Sequence, residues 1–173
     1  MHSFISNPSS NQLGAFTFAT AMMSQTRTEA ILNPTGMLFK LYADHFGTQP
    51  VEVTGEAPQP KPFYPTGADQ PAVNPGSPTF PLDVVAAYSA DRRTFTIAVL
   101  NPSDTAQPLN LAVAGVKLAA RGKLDKMAPE KVESVVAVGK KPEVQAEEQT
   151  LGALPEVITV PPFSVTVYSY PTQ

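Results

Sequence analysis

Residues 33–47, Asn-Pro-Thr-Gly-Met-Leu-Phe-Lys-Leu-Tyr-Ala-Asp-His-Phe-Gly, carry the pattern of one amphipathic helix, and nearly everything after them reads as strand. Met37, Leu38, Leu41, Tyr42 and Phe46 recur at the three- and four-residue spacings of a single apolar face, while Lys40, Asp44 and His45 fall elsewhere. Pro34 suits the first helical turn, where its missing N–H has no intrahelical partner, and Asn33 before it reads as the N-cap. Gly47 reads as the C-cap residue. A solitary helix ahead of an all-β run implies the tail of one unit joined to the whole of another.

Upstream, Leu13, Phe16, Phe18, Ala19, Ala21, Met22 and Met23 make a compact apolar block without β-branched enrichment, which predicts a second helix from Leu13 to about Arg27. Its apolar residues are too many for one solvated face, so neighbours must cover it. Downstream, residues 48–54 read as a short first strand. Residues 56–81 then hold eight of the 19 prolines together with Gly67, Asn74 and Gly76. Such a stretch cannot supply ladder donors and predicts a loop. Its rings Phe63, Tyr64 and Phe80 predict that the loop lies against another surface.

From Leu82 the pattern has period two. Residues 83–89 and 94–100 flank the turn Ala90-Asp91-Arg92-Arg93 as a hairpin, with Phe95, Ile97 and Val99 on one face. Asn101-Pro102-Ser103-Asp104 turns the chain, and Leu109, Leu111 and Val113 predict a third strand in a sequential meander. Val116, Leu118 and Leu124 suggest a fourth strand between Val116 and Met127. Charges and prolines dominate residues 128–152, which read as an exposed excursion. Val157 to Val160 and Phe163 to Tyr168 read as two strands around the corner Pro161-Pro162, the last pairing inside the sheet.

The residue inventory removes several kinds of chemistry. A formal net charge of −3 and a single adjacent lysine pair, Lys140-Lys141, give no nucleic-acid footprint and no attraction to an anionic membrane. With no cysteine and two distant histidines, no metal-ligand spacing exists, and no cofactor is implied. Neither a Gly-rich phosphate loop nor a Gly-x-Ser-x-Gly elbow is present. His45 sits where a helix dipole favours a histidine, so its reading is structural. Asp83 and Asp91 read as strand-end and turn carboxylates, and Glu147-Glu148 as a solvated face. No apolar run approaches the ~18 residues of a transmembrane helix. The first residues lack the form of a signal peptide, so the chain is expected to be soluble and any export signal would lie upstream; the compartment stays open.

Four segments together carry a family likeness: Leu32-Asn33-Pro34-Thr35, Phe39-Lys40-Leu41-Tyr42 with His45, Ile97-Ala98-Val99-Leu100-Asn101-Pro102, and Pro161-Pro162-Phe163-Ser164-Val165-Thr166-Val167-Tyr168. In this order they resemble the C-terminal part of family 51 α-L-arabinofuranosidases, where a Pro-Thr motif opens the last helix of the catalytic barrel and leads into a β-sandwich. The resemblance implies a mainly β fold: an antiparallel β-sandwich preceded by one or two α-helices left from a (β/α)8 barrel. Residues 1–47 would be the barrel remnant and 48–173 the sandwich, with the Pro-rich loop at 56–81. A barrel alone needs about 250 residues, so most of it lies outside these 173 residues.

The resemblance also implies a larger glycoside hydrolase that removes arabinofuranosyl side groups from plant polysaccharides. A retaining glycosidase works with two carboxyl groups about 5 Å apart. In the family both are glutamates at barrel strand ends, upstream of Met1, and neither Glu29 nor any acid of the β region matches their motifs. No catalytic residue is therefore carried over, and the chain is expected to be inactive alone. Its implied partner is the barrel portion, with self-association through exposed helix faces as a consequence of losing it. Phe63 and Tyr64 are the candidate substrate-binding residues, since rings stack on sugar faces. The alternative is a stand-alone sandwich that binds carbohydrate or protein without catalysis; a binding module often presents tryptophan, and this chain has none.

Overall fold

The computed structural model describes residues 5–6, 23–25, 27–57, 78–131, 134, 136, 138–139 and 141–173. Among these lie strands β1 (Ile5–Ser6), β2 (Met23–Gln25) and β3 (Ala30–Leu32), helix α1 (Pro34–His45), then β4 (Gln49–Val51), β5 (Asp83–Tyr88), β6 (Thr94–Asn101) and β7 (Gln107–Asn110). The chain finishes with β8 (Gly122–Met127), β9 (Ala146–Leu151), β10 (Val157–Val160) and β11 (Ser164–Pro171). The fold is mainly β, with one helix among the described residues.

The principal sheet has six strands in the order β4-β5-β6-β11-β8-β9, every neighbouring pair antiparallel. Its two longest strands, β6 and β11, lie at the centre, and both are buried along nearly their whole length. Strands buried on both faces exclude charge, which is why Thr94 to Asn101 and Ser164 to Tyr170 contain no charged residue. The strand alternation divides them cleanly. Phe95, Ile97 and Val99 of β6 pack with Tyr168 and Tyr170 of β11 and with Ile158 and Val160 of β10, which belongs to a second, two-stranded sheet. Ala98 of β6 and Val165 and Val167 of β11 point the other way, onto Leu41 of α1. Each fully buried Val, Ile, Leu or Phe among these contributes roughly 1.5–3 kcal/mol.

The expected meander does not form. After β6 the chain crosses to the second sheet, where β7 pairs with β10 in the register Gln107 to Val160 and Leu109 to Ile158. β6 instead takes β11 as its other neighbour. Asn101, fully buried, explains the crossing. Its amide donates to the carbonyls of Thr105 at 2.9 Å, Val160 at 3.3 Å and Pro161 at 2.9 Å, and its Oδ1 accepts from the Ser103 N–H at 3.0 Å and Ser103 Oγ at 2.6 Å. This ties the exit of β6 to the corner between β10 and β11. Pro102, with no N–H, cannot extend the ladder.

Other expectations shift in place. The fourth strand begins at Gly122 rather than Val116; of the preceding residues only Leu118 makes a bridge, to Thr172. Residues 146–151, read as part of an exposed excursion, form the edge strand β9. An edge strand with solvent on both sides has no apolar alternation to betray it. The end of the upstream helix is also corrected: Met23–Gln25 is a strand, parallel to β1 and antiparallel to β3. A compact apolar block does not distinguish a covered helix from a strand, and here the Arg27–Glu29 turn lets residues 23–25 pair with 30–32. The rest of that predicted helix lies outside the described residues.

At the C-terminal end of α1 the cap is Phe46, whose N–H reaches the Tyr42 carbonyl at 3.0 Å. Gly47 serves a close approach instead, since a Cβ there would stand 2.5 Å from the Tyr88 carbonyl oxygen. The chain passes so close to β5 that only glycine fits. Further on, the Ala57 N–H donates to the Pro78 carbonyl at 3.1 Å.

Candidate functional site at the helix–sheet joint

α1 starts as its sequence dictates. Asn33 is extended and its carbonyl accepts the Met37 N–H at 2.8 Å, while Pro34 occupies the first turn. The amphipathic face then places Leu41 in the core, with Met37, Leu38, Tyr42 and Phe46 packed around it. The same helical geometry delivers His45, in the last turn, over strand β8. There Asp125 lies opposite Val167 of β11 and shares a face with Met127, so it points toward the helix. Nδ1 of His45 stands 3.1 Å from Oδ2 of Asp125.

Asp125 is 4% exposed, and its Oδ2 is a buried oxygen with no hydrogen-bond partner, the His45 ring standing at ion-pair distance only. Burial raises the Asp125 carboxyl above its ordinary range; the charge of a protonated His45 draws it back down, the Glu148 carboxylate raises it and Lys123 lowers it. His45 is about one-third exposed and remains in reach of water. On the neighbouring part of the joint, burial and then the charge of Asp83 raise the Tyr42 phenol. Thr96 Oγ1 accepts the Gly47 N–H at 2.9 Å and donates to the Ala87 carbonyl at 3.0 Å, fastening the chain after the helix onto the sheet.

The other carboxylates singled out in the sequence are dispersed. Asp91 accepts from Ser89 Oγ at 2.7 Å and the Arg93 N–H at 3.1 Å, and these bonds lower its pKa. That is a turn carboxylate serving its turn. Glu147 and Glu148 pair with Lys126 and Lys123, each at 3.0 Å, on the edge strand. Asp125 and Glu148 are cross-strand partners, the one place on β8 and β9 where two acids face each other. An open cleft of 870 Å³ is lined by Leu111, Val113, Val116, Leu118, Leu154 and Val157, and a polar one of 680 Å³ by residues including Glu130, Lys131 and Glu143. Neither reaches Asp125, so the acid pair meets no substrate-sized space in these clefts. Among the described residues no three His, Cys, Asp or Glu side chains cluster as metal ligands, and no helix is long and apolar enough to cross a membrane. Phe63 and Tyr64 lie outside the described residues. Sequence reasoning noticed His45 but missed Asp125, whose only signal is an acid at an inward strand position between Lys123 and Met127.

The architecture is a helix-covered β-sandwich of a kind found within glycoside hydrolases. Over 88% of its length the chain superposes on an arabinose-bound family 51 α-L-arabinofuranosidase with a TM-score of 0.67 at 16% identity. The α-L-arabinofuranosidase of Thermotoga maritima in complex with arabinose matches 87% of the chain with a TM-score of 0.65 at 19% identity. The match is not confined to that family: a family 86 β-porphyranase from the human gut bacterium Bacteroides plebeius covers 98% of the chain with a TM-score of 0.58 at 16% identity. At such identities the likeness is one of fold. The chain spans 21%, 31% and 26% of these three proteins. No protein-family model matches the sequence, and no curated protein does either.

Proposed function

We propose that this chain is the C-terminal accessory region of a glycoside hydrolase acting on arabinofuranosyl side groups of plant polysaccharides, and that it is inactive by itself. One observation carries the reading: the fold likeness to family 51 enzymes takes in 88% of this chain but only 21% of the enzyme it matches. The four sequence segments quoted above favour family 51 over other hydrolases with the same fold. In this reading residues 1–47 are the end of the barrel and residues 48–173 the sandwich, with α1 docked on the sandwich as the joint between them. The helix-bearing side leaves Phe39 and Val85 exposed, at 56% and 40%, and these offer apolar surface to the barrel portion as partner. Phe63 and Tyr64, on the Pro-rich loop, are proposed to reach the rim of the active site.

The test is hydrolysis of 4-nitrophenyl α-L-arabinofuranoside by the purified chain and by a longer chain that includes the barrel. The short chain is expected to release no nitrophenol and the longer one to turn over. Turnover by the short chain, abolished by one carboxylate substitution within it, would overturn the reading. The open cleft beside Leu111 and Leu154 gives the binding-module alternative a foothold. Retardation of the short chain in a gel containing arabinoxylan would favour that alternative.

A further inference from the structure

The His45–Asp125 pair is placed as a joint rather than as a reaction centre, because it connects the end of α1 to the sheet with no described cleft opening onto it. We propose that this pair is a proton-operated latch, holding the C-terminal end of α1 on the sheet while it carries a proton and loosening it when the proton leaves. The latch is independent of the glycosidase reading.

The geometry supplies both halves. Asp125 sits on a face built from Ala98, Met127, Val144, Val165 and Val167, and its Oδ2 has no hydrogen-bond partner while the His45 ring nitrogen stands 3.1 Å away. A carboxylate in such surroundings is costly unless an adjacent cation or a proton of its own balances it. From α1 the group that faces it is His45; the neighbouring Asp44 is engaged with Lys40. From β9 comes Glu148, an acid of the same sign, and from its own strand Lys123, which is turned to Glu148 at 3.0 Å. β11 contributes only Val167 opposite. Among the described residues the imidazole is therefore the group at ion-pair distance from Oδ2 that can carry a positive charge, and histidine is the side chain whose charge ordinarily changes between about pH 5 and 8. When the pair loses its proton, the buried carboxylate keeps a neutral partner and an acidic neighbour. A histidine cation is also favoured at a helix C-terminus, so the same event removes a second attraction.

The experiment is native-state hydrogen exchange on the full 173-residue chain from pH 5.5 to 8.0, corrected for intrinsic exchange. Protection of the Leu41, Tyr42 and Phe46 amides is expected to fall by about tenfold across the range, while Val99 and Val167 stay level. His45→Gln is expected to flatten the α1 profile, and His2→Gln to leave it as in the parent chain. Because His45 is partly exposed, its replacement tests the latch without emptying the core; the parent profile tests it even if a variant fails. Level α1 protection in the parent chain, an unchanged slope in His45→Gln, or loss of the slope in His2→Gln would each overturn the proposal.

Discussion

Asp125 on β8 and His45 at the end of α1 meet at 3.1 Å across the boundary between sheet and helix, and this contact ties together two segments 80 residues apart in the chain. The acid is buried and the base is in contact with water.

A first prediction concerns Asp125 alone. Its carboxyl is raised from 3.8, so the folded state binds more protons than the unfolded state between 3.8 and the raised value. Stability from this group is therefore full below 3.8 and is lost as pH rises through the raised value. Urea unfolding of the parent chain and of Asp125→Asn between pH 3 and 6 should show the stability of the parent falling relative to the variant as pH rises. Asp44 and Asp91, whose pKa values are lowered, act in the opposite direction but cancel in the comparison. A difference that grows in favour of the parent with rising pH would contradict the burial argument.

Asn101 gives a second. Its side chain donates to three carbonyls and accepts two bonds from Ser103 at the crossing between the sheets. Asn101→Ala removes all five of these bonds at a buried corner, while Ser103 Oγ still donates to the Thr105 carbonyl and Ser164 Oγ to the Pro161 carbonyl, so an overall loss of about 3 kcal/mol is expected. Ser103→Ala removes only one side of the network and is expected to cost about 1 kcal/mol. Equal losses for the two substitutions in urea unfolding would show that Asn101 does not anchor the corner.

Tyr170 gives a third. Its ring lies against Gly122, where a Cβ would come within 2.5 Å of a ring carbon, and its hydroxyl donates to the Gly152 carbonyl at 3.1 Å. The glycine leaves the space and the tyrosine fills it. Gly122→Ala is expected to cost about 1–3 kcal/mol by overpacking, and Tyr170→Phe about 1 kcal/mol through the lost hydrogen bond. Thermal unfolding should rank the two in that order or together; a neutral Gly122→Ala would mean that the ring yields freely.

How much of this was legible depended on whether a residue's neighbours are near in sequence. The α1 face and the β5–β6 hairpin rest on local periodicity and turn chemistry, and both stand within a residue or two of where the pattern puts them. The partner of β6 was not legible, because Asn101 reads as a turn residue and its bonds to Val160 and Pro161 span some 60 residues. β9 was hidden by its solvent-facing composition, since Glu147 and Glu148 carry no strand period. The joint was half legible: His45 stood out as one of two histidines, whereas Asp125 became informative only when the register of β8 on β11 put it under the helix.

Gly47 links that joint to the architecture and yields the last prediction. It is the first residue after the helix cap, and its N–H is held by Thr96 Oγ1 while its Cα passes against the Tyr88 carbonyl. A methyl group there meets rigid backbone of β5 rather than a flexible side chain, so either β4 or the end of α1 must move. Gly47→Ala is expected to cost at least about 2 kcal/mol in urea unfolding and to lower hydrogen-exchange protection in α1 more than in β11. Gly152 supplies the control, because a Cβ at that position meets nothing within 4 Å and Gly152→Ala should stay within about 0.5 kcal/mol of the parent. If both substitutions are neutral, the helix is not seated on the sheet through this passage, and α1 would have to be treated as separable from the sandwich.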